Sequence, residues 1–180
     1  MEPSGWSARG DSRSSSSRMR IRLAGGSDRQ GLLALWLDLI LHHRHLDPDY
    51  PAPPGIRELL LGEIDRGLRS RSCRLGIAEG DSEPVGFVFA EIGGDERSLA
   101  ASPGMAWIHE LYVDPSWRRQ GVGSALVDFA DGFFKEHGTE LASVRVEIAN
   151  QEALGFWSRL GFGERARILT RAASMPSDPS

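Results

Sequence analysis

The sequence predicts a mixed α/β fold in one domain. Its 180 residues suit a single domain with its own core, and 40% hydrophobic with 26% charged residues is close to the average of soluble globular proteins. Segments with the two-residue period of strands alternate along the chain with segments of helical period. This alternation is typical of a sheet covered by helices.

The first half of the chain predicts a strand, two helices and a β-hairpin. The first helix must end before Pro48, because proline disfavours the helical conformation of its predecessor. A turn-forming segment, Gly80 to Glu83, separates the two hairpin strands. In order, the predicted elements are a strand at Arg20–Leu23, helices containing Leu32–Ile40 and Ile56–Leu68, and strands at Arg74–Ala78 and Pro84–Ala90.

The second half predicts three strands and two helices. Apolar residues from Val122 to Phe133 recur at helical spacing, and Asn150 suits the start of a shorter helix that ends at Leu160. The predicted strands are Trp107–Asp114, Ser143–Ile148 and Ala166–Thr170.

The two ends of the chain differ in composition from the middle. Residues 1–18 are rich in serine, glycine and arginine and have little apolar surface to bury, so we expect a disordered N-terminal tail. Residues 173–180 include two prolines, and we expect a flexible C-terminal tail. The folded domain is therefore predicted over residues 19–172.

Charge and cysteine content exclude several classes of protein. A net charge of −4 gives no support to nucleic-acid binding, and the longest apolar run, Leu32–Leu41, is interrupted by Asp38 and too short to span a membrane. The single cysteine, Cys73, excludes an internal disulfide and a multi-cysteine zinc site, so we expect a cytoplasmic protein. Of the 21 basic residues only Lys135 is lysine, which indicates a GC-rich genome, and we expect a bacterial source.

A glycine-rich segment, RRQGVGS at Arg118–Ser124, lies between a predicted strand and a strongly periodic helix. Unpaired amides at a helix start, the helix dipole and two arginines together suit a pyrophosphate. The segment lacks the Gly-Lys-Ser/Thr of a Walker loop, and Leu126 stands where a dinucleotide fingerprint needs its third glycine. The alternative is a glycine turn that only caps a structural helix.

Two motifs lie about 30 residues apart in this half of the chain. The first is Leu111-Tyr112-Val113-Asp114-Pro115 followed by Arg118-x-x-Gly121-x-Gly123 at the start of a long helix. The second is Asn150-x-x-Ala153-x-x-Phe156-Trp157-x-x-x-Gly161-Phe162. Their order and spacing resemble the acetyl-CoA-binding motif and the following strand–helix motif of the GNAT (Gcn5-related) N-acetyltransferase superfamily.

The resemblance implies a fold and a cofactor site. The fold is a mixed, partly splayed central sheet flanked by helices, with acetyl-CoA wedged between the strand ending at Val113 and the strand ending at Ile148. Strand backbone would pair with pantetheine, loop amides would hold the pyrophosphate, and Asn150 would reach the pantetheine arm. The implied cofactor-binding residues are Leu111, Tyr112, Val113, Arg118, Arg119, Gln120, Gly121, Val122, Gly123, Ser124, Asn150 and Trp157.

Trp157 departs from the family pattern. It stands where the family usually has a tyrosine that protonates the leaving thiolate, and an indole N–H has no accessible acidity. A thiol is a fair leaving group without an acid, so activity need not be lost. Two roles stay open for Trp157: packing against the cofactor arm, or a position in the core.

Glu110 is the leading candidate for a catalytic base, because many family members carry an acidic residue here. Strand periodicity predicts Ile108, Glu110 and Tyr112 on one face and His109 on the other, so we interpret His109 as structural. The alternative for Glu110 is an exposed strand carboxylate or a structural ion pair.

Three histidines, His42, His43 and His45, lie near the end of the first helix. Cationic residues at a helix C-terminus are favoured by its dipole, and we expect no metal site there. In the family, this helix and the loop after it line the acceptor pocket, which makes His45, Asp49 and Tyr50 candidates for substrate contact.

The sequence thus predicts an acetyl-CoA-dependent N-acetyltransferase, an acyltransferase that transfers the acetyl group directly to a primary amine of a small molecule or a protein terminus. The alternative is a non-catalytic acyl-CoA-binding regulatory domain. A small-molecule amine is the expected acceptor, with neither nucleic acid nor membrane as a partner, and a homodimer is left open.

Overall fold

The computed structural model describes residues 19–93, 104–139 and 141–168. Within these residues a five-stranded sheet packs against four α-helices. The strands are β1 (Met19–Leu23), β2 (Cys73–Gly80), β3 (Glu83–Ile92), β4 (Met105–Val113) and β5 (Leu141–Val144), and the helices are α1 (Arg29–Leu46), α2 (Ile56–Arg69), α3 (Val122–Glu136) and α4 (Gln151–Arg159). None of these helices combines the length and apolar character that a transmembrane span requires.

The predicted fold class is confirmed, and most predicted elements are present. The strand predicted at Ser143–Ile148 is wrong in its last four residues, because β5 spans Leu141–Val144 and residues 145–148 leave the sheet. The strand predicted at Ala166–Thr170 is not found at residues 166–168, and its last two residues lie outside the described ones. The two predicted tails, 1–18 and 173–180, also lie outside the described residues.

The sheet opens along one of its strand pairs. Its strand order is β1-β2-β3-β4-β5, with antiparallel pairing up to β4 and a parallel β4–β5 pair from Met105↔Leu141 to Ile108↔Val144. Beyond that pair β4 continues to Val113 while β5 has ended. The sheet is therefore splayed, as the resemblance implied, and half of β4 has a free edge.

Two apolar cores hold the helices on opposite faces of the sheet. On one face α1 and α2 cover Phe87 and Phe89, and on the other α3 and Trp157 cover Val88 and Ile108. Burial of large side chains on both faces fixes the register of the central strands, because a slip of one residue would exchange the faces.

A β-bulge interrupts β4 and overturns the predicted assignment of its faces. Phe89 pairs with Glu110 but the next residue, Ala90, pairs with Ile108, so His109 is an extra residue in β4. Ile108 packs in the core beneath α3, whereas Tyr112 packs in the core beneath α1 and α2. The prediction that Ile108 and Tyr112 share a face was wrong because the two-residue period does not continue through a bulge.

Candidate active site

A cavity of about 320 Å³ occupies the gap between β4 and β5. Residues 109–113 of β4 form one wall, and residues 144–147 form the opposite wall. Leu39, His42 and His43 close it from α1, while the loop before α3 and one side of α4 line its other end. The cavity therefore joins the glycine-rich segment to Glu110, the two features that the sequence singled out separately.

The loop before α3 leaves several amides unpaired. The Asp114 carboxylate accepts hydrogen bonds from the backbone N–H and the hydroxyl of Ser116, and the Gln120 side chain donates to Ser116 O at 2.9 Å. The first hydrogen bond of α3 runs from Ala125 N to Gly121 O at 3.0 Å. The N–H groups of residues 122–124 precede it and have no helical acceptor, which is a favourable arrangement for an anion.

Two glycines at the start of α3 serve different purposes. Gly121 has φ +85°, and a Cβ there would meet no atom within 4 Å, so the backbone is bare on the side that faces the cavity. A Cβ on Gly123 would lie 3.3 Å from the Phe156 ring, so this glycine permits close packing of α3 on α4. Arg119 also adopts a positive φ of 61°, an uncommon conformation for a residue with a side chain.

Arg118 ties the end of β4 to α4. Its Nε donates to Val113 O at 3.0 Å, and a terminal nitrogen lies 3.4 Å from the Glu152 carboxylate. Asp114 N donates to Val85 O of β3, so by strand alternation the backbone groups of Leu111 and Val113 point to the open gap. With Val113 O satisfied by Arg118, Leu111 N–H, Leu111 C=O and Val113 N–H remain as an edge for an added strand-like ligand.

Asn150 and Trp157 have structural partners as well as a place in the cavity wall. Asn150 is 9% exposed, and its side-chain oxygen accepts from Ala153 N at 3.0 Å, which caps α4 and leaves the amide NH₂ for another partner. Trp157 is 6% exposed and packs edge-on against Phe156 and Phe162, with ring centroids 5.1 and 5.0 Å away. Trp157 therefore belongs to the core and to the cavity at once.

The Glu110 carboxyl lies in the cavity wall where solvent is largely excluded. Burial raises its pKa to about 7, and no charge of a neighbouring residue contributes to that shift. A carboxyl poised near neutral pH exists in both protonation states, as a general base requires.

The Glu110 carboxyl carries a cost in stability that can be measured. Its folded pKa of about 7 exceeds the ordinary 4.5, so the native state binds more protons between these values and stability falls as pH rises through that window. We expect Glu110→Gln to raise the free energy of unfolding by roughly 1–3 kcal/mol near pH 8 and to leave it almost unchanged near pH 4.5. Denaturant unfolding of both forms at the two pH values checks this, and equal gains at both would contradict it.

The predicted acceptor residues divide into two groups. Tyr50 is half-buried and stacks on His43 with ring centroids 4.7 Å apart. Burial, and then the negative charges of Glu110 and Glu147, raise the Tyr50 pKa. His45 and Asp49 are exposed. None of the three lines the cavity, and Tyr50 contacts its wall through His43.

The cavity wall contains further residues that were not predicted as part of the site, among them His42, His43, His109 and Glu147 with titratable side chains. His42 and His43 follow the cavity-lining Leu39 at i+3 and i+4, so helical spacing from a buried leucine could have identified them in place of His45. The other two, His109 and Glu147, depend on the bulge and on the early end of β5 and carried no such signal.

Most of the predicted cofactor-binding residues line this cavity. Of the twelve, Gln120 and Val122 do not: Gln120 is exposed, and the Val122 side chain is 2% exposed in the core beneath α3. Within the described ranges no group of three or more His, Cys, Asp or Glu side chains is arranged to hold a metal ion.

Comparison with known proteins identifies the family. The family model described as the acetyltransferase (GNAT) family matches residues 38–162. An uncharacterized N-acetyltransferase of Methanocaldococcus jannaschii is 35% identical over 92 residues, which is 49% of this chain and 38% of that protein. The chain thus spans less than two fifths of this relative. An aminoglycoside N(6')-acetyltransferase type 1 of Stenotrophomonas maltophilia is 26% identical over 140 residues, covering 73% of this chain and 90% of that enzyme.

Solved structures share the fold. An aminoglycoside N-acetyltransferase in complex with CoA superposes with a TM-score of 0.68 at 20% identity, covering 94% of this chain and 100% of that chain. At this identity the likeness concerns the fold alone.

Proposed function

The chain belongs to the GNAT family of acetyltransferases, and from this premise we propose that it transfers the acetyl group of acetyl-CoA directly to a primary amine. The observation that carries the proposal is the continuity of one cavity from unpaired amides at the start of α3, along the free edge of β4, to the buried carboxyl of Glu110. Anion site, strand edge and base lie in the order that a phosphate, a pantetheine arm and a reacting amine would need.

The residues fit acetyl-CoA by their chemistry. We assign the pyrophosphate to the N–H groups of residues 119–124 with Arg118 and Arg119 as charged neighbours, because a helix start and bare Gly121 backbone favour an anion. The pantetheine amides would pair with the Leu111 and Val113 backbone groups and with the Asn150 NH₂, which its helix-capping oxygen leaves unused. Tyr112 offers the pantetheine no hydrogen bond, since by the same alternation its backbone groups face β3 and its side chain is 6% exposed in the α1–α2 core.

Glu110 acts on the acceptor. Acetyl-CoA supplies an acyl group that an amine can attack directly, provided that the amine nitrogen has lost its proton. The Glu110 carboxylate holds the acceptor ammonium in the cavity and takes that proton, directly or through one water. The Leu111 N–H, which faces the gap next to Glu110, is a donor for the oxygen on which negative charge develops during attack, and Leu111 C=O and Val113 N–H are left for pantetheine.

The leaving thiolate does not depend on Trp157 for a proton. We expect Trp157→Phe to lower kcat less than tenfold, because an indole N–H cannot protonate a thiolate. The same change removes packing against Phe156 and Phe162 and should cost about 1–2 kcal/mol of stability. Steady-state kinetics with a competent amine and denaturant unfolding measure the two effects separately.

A matched control for Trp157 is Trp36→Phe. Trp36 is 3% exposed, packs against Phe87 and Phe89 in the other core, and does not line the cavity. Its replacement should therefore lower the free energy of unfolding and leave kcat unchanged. A loss of kcat beyond about 10³-fold in a folded Trp157→Phe protein would show that Trp157 participates in the chemistry.

The acceptor is proposed to be a small cationic amine. The end of the cavity proposed to take the acceptor has the carboxylates of Glu110 and Glu147 in its wall, with Tyr50 nearby. The relative from Stenotrophomonas maltophilia is named as an aminoglycoside acetyltransferase. His45 and Asp49 remain candidates for contact at the rim only. We further propose a cytoplasmic, bacterial setting on the basis of the lone free Cys73 and the arginine-rich composition, with a homodimer left to measurement.

The test is a panel of primary amines incubated with the protein and acetyl-CoA. Release of free CoA thiol together with an acetylated amine detected by mass spectrometry supports the function. Acetyl-CoA binding by calorimetry without CoA release from any amine would favour the alternative, a non-catalytic acyl-CoA-binding regulatory domain. Absence of both acetyl-CoA binding and CoA release would contradict the proposed function.

A further inference from the structure

His109 is the one extra residue of the β4 bulge, and it connects the cavity with the solvent. It lines the same cavity as Glu110, its neighbour in the chain. Its side chain nevertheless keeps 38% of its surface exposed. Without the bulge, strand alternation would place His109 on the face opposite Glu110.

The His109 ring is held in one orientation by a carboxylate and two aromatic rings. Its Nε2 lies 2.7 Å from Oε2 of Glu91 on the neighbouring strand. The Trp107 ring lies nearly parallel to it at 6.4 Å, and the Phe89 ring lies 5.5 Å away. With the Nε2 hydrogen donated to Glu91, Nδ1 carries the lone pair of the neutral ring and is its proton-accepting atom.

Glu91 is itself fixed from α2. Its second carboxylate oxygen accepts from Arg66 at 2.8 Å, and the Arg66 guanidinium also pairs with Glu63 and lies 5.0 Å from the centroid of the Phe89 ring. A carboxylate that is held on one side by arginine and bound to an imidazole on the other is an arrangement that orients a histidine.

We propose that His109 relays the acceptor's proton from Glu110 to solvent, with Glu91 as the positioning residue that holds its imidazole. The proposal rests on the proposed function and deepens it. Its physical reason is that Glu110 is enclosed once the cavity holds its two substrates, whereas His109 reaches both the cavity and the surface.

The proton balance closes over one turnover. The acceptor ammonium gives one proton to Glu110, the carboxylic acid passes it to Nδ1 of His109, and the imidazolium releases it to water. The amine nitrogen then forms its bond to the acyl carbon, the carbon–sulfur bond breaks, and the second proton of that nitrogen ends on the CoA thiolate. The net products are the amide, CoA thiol and one released proton, with no oxidant or further reactant.

The titratable groups around His109 come from several neighbouring elements. Glu91 faces it from β3 and Glu110 follows it in β4, while Arg66 with its partner Glu63 stands behind Glu91 on α2. From β2, Cys73 accepts a hydrogen bond from Arg66 at 3.1 Å. From α1, His42 and His43 line the same cavity. Glu91 is the partner that touches the ring directly.

The test is the buffer dependence of His109→Gln. Glutamine can still donate to Glu91 but cannot carry a proton, so we expect kcat to fall about tenfold in dilute buffer and KM for the amine to stay within about twofold. Added imidazole should restore most of kcat in the variant and leave the wild type unchanged. Glu91→Ala, which frees the ring, should show a smaller loss with the same rescue. His137→Gln is the matched control, because His137 binds Phe133 O at the end of α3 and does not line the cavity.

Each outcome either supports or overturns the proposal that His109 relays the proton. Unchanged kcat in His109→Gln overturns it, and so does a loss that imidazole does not restore, since that result marks a structural role. Failure of the wild type to acetylate any amine would instead refute the proposed function. If His109→Gln does not fold, Glu91→Ala provides the test. A loss of kcat that imidazole restores supports the relay, and an unchanged kcat or a loss without rescue overturns it.

Discussion

Gly121→Val is expected to weaken acetyl-CoA binding by more than tenfold, equivalent to about 1.4 kcal/mol, in a protein that still folds. Two causes act together. The backbone of Gly121 has φ +85°, a conformation that a β-branched residue resists. The new side chain would also enter open space beside the unpaired amides of α3, where the pyrophosphate is proposed to lie.

A second glycine separates these two causes. Gly138 has φ +64° just beyond the end of α3, and a Cβ there also meets no atom within 4 Å, but it does not line the cavity. Gly138→Val therefore carries comparable backbone strain without blocking the site. Calorimetric titration with acetyl-CoA should show a loss of affinity in Gly121→Val alone. Equal affinity in folded Gly121→Val and wild type would place the pyrophosphate elsewhere.

The sequence predicted the parts of the fold that depend on local pattern. Helices α1 and α3 have periodic apolar faces, and the turn at Gly80–Glu83 lies between two apolar runs, so their positions could be read from spacing. The end of β5 could not be predicted from spacing. Residues 145–148 alternate as a strand does, yet β4 and β5 diverge after Ile108↔Val144, and pairing rather than pattern decides where a strand ends.

The site was predictable where it depends on backbone and missed where it depends on register. The glycine-rich loop carries a motif and Glu110 immediately precedes one, so the sequence singled out both, and the structure places both in the wall of one cavity. The location of His109 depends on one extra residue in β4 relative to β3, and no single-strand pattern reveals a bulge. His45 stays a prediction, but helical spacing from Leu39 favours His42 and His43, which the structure places in the cavity wall.

Glu110→Gln is expected to lower kcat/KM for an amine acceptor by about 10–10³-fold while acetyl-CoA affinity stays nearly unchanged. The substitution keeps the shape of the side chain and removes its ability to take a proton. Because burial raises the Glu110 pKa to about 7, the wild-type carboxyl loses its basic form as pH falls below that value. Its kcat/KM should therefore show an inflection near pH 7 in addition to the titration of the acceptor amine.

The pH–rate profiles of the two forms with one competent amine provide the decisive measurement. The variant should lack the inflection near pH 7 and recover partly at high pH, where more of the acceptor is already neutral. Asp131→Asn is the matched control: burial also raises the pKa of Asp131, but this residue lies on α3 away from the cavity, so its variant should retain the wild-type profile. Superimposable profiles for Glu110→Gln and wild type would make Glu110 a structural carboxyl. A lower rate combined with higher stability near pH 8 would instead show that this buried carboxyl is retained for catalysis at the expense of the fold.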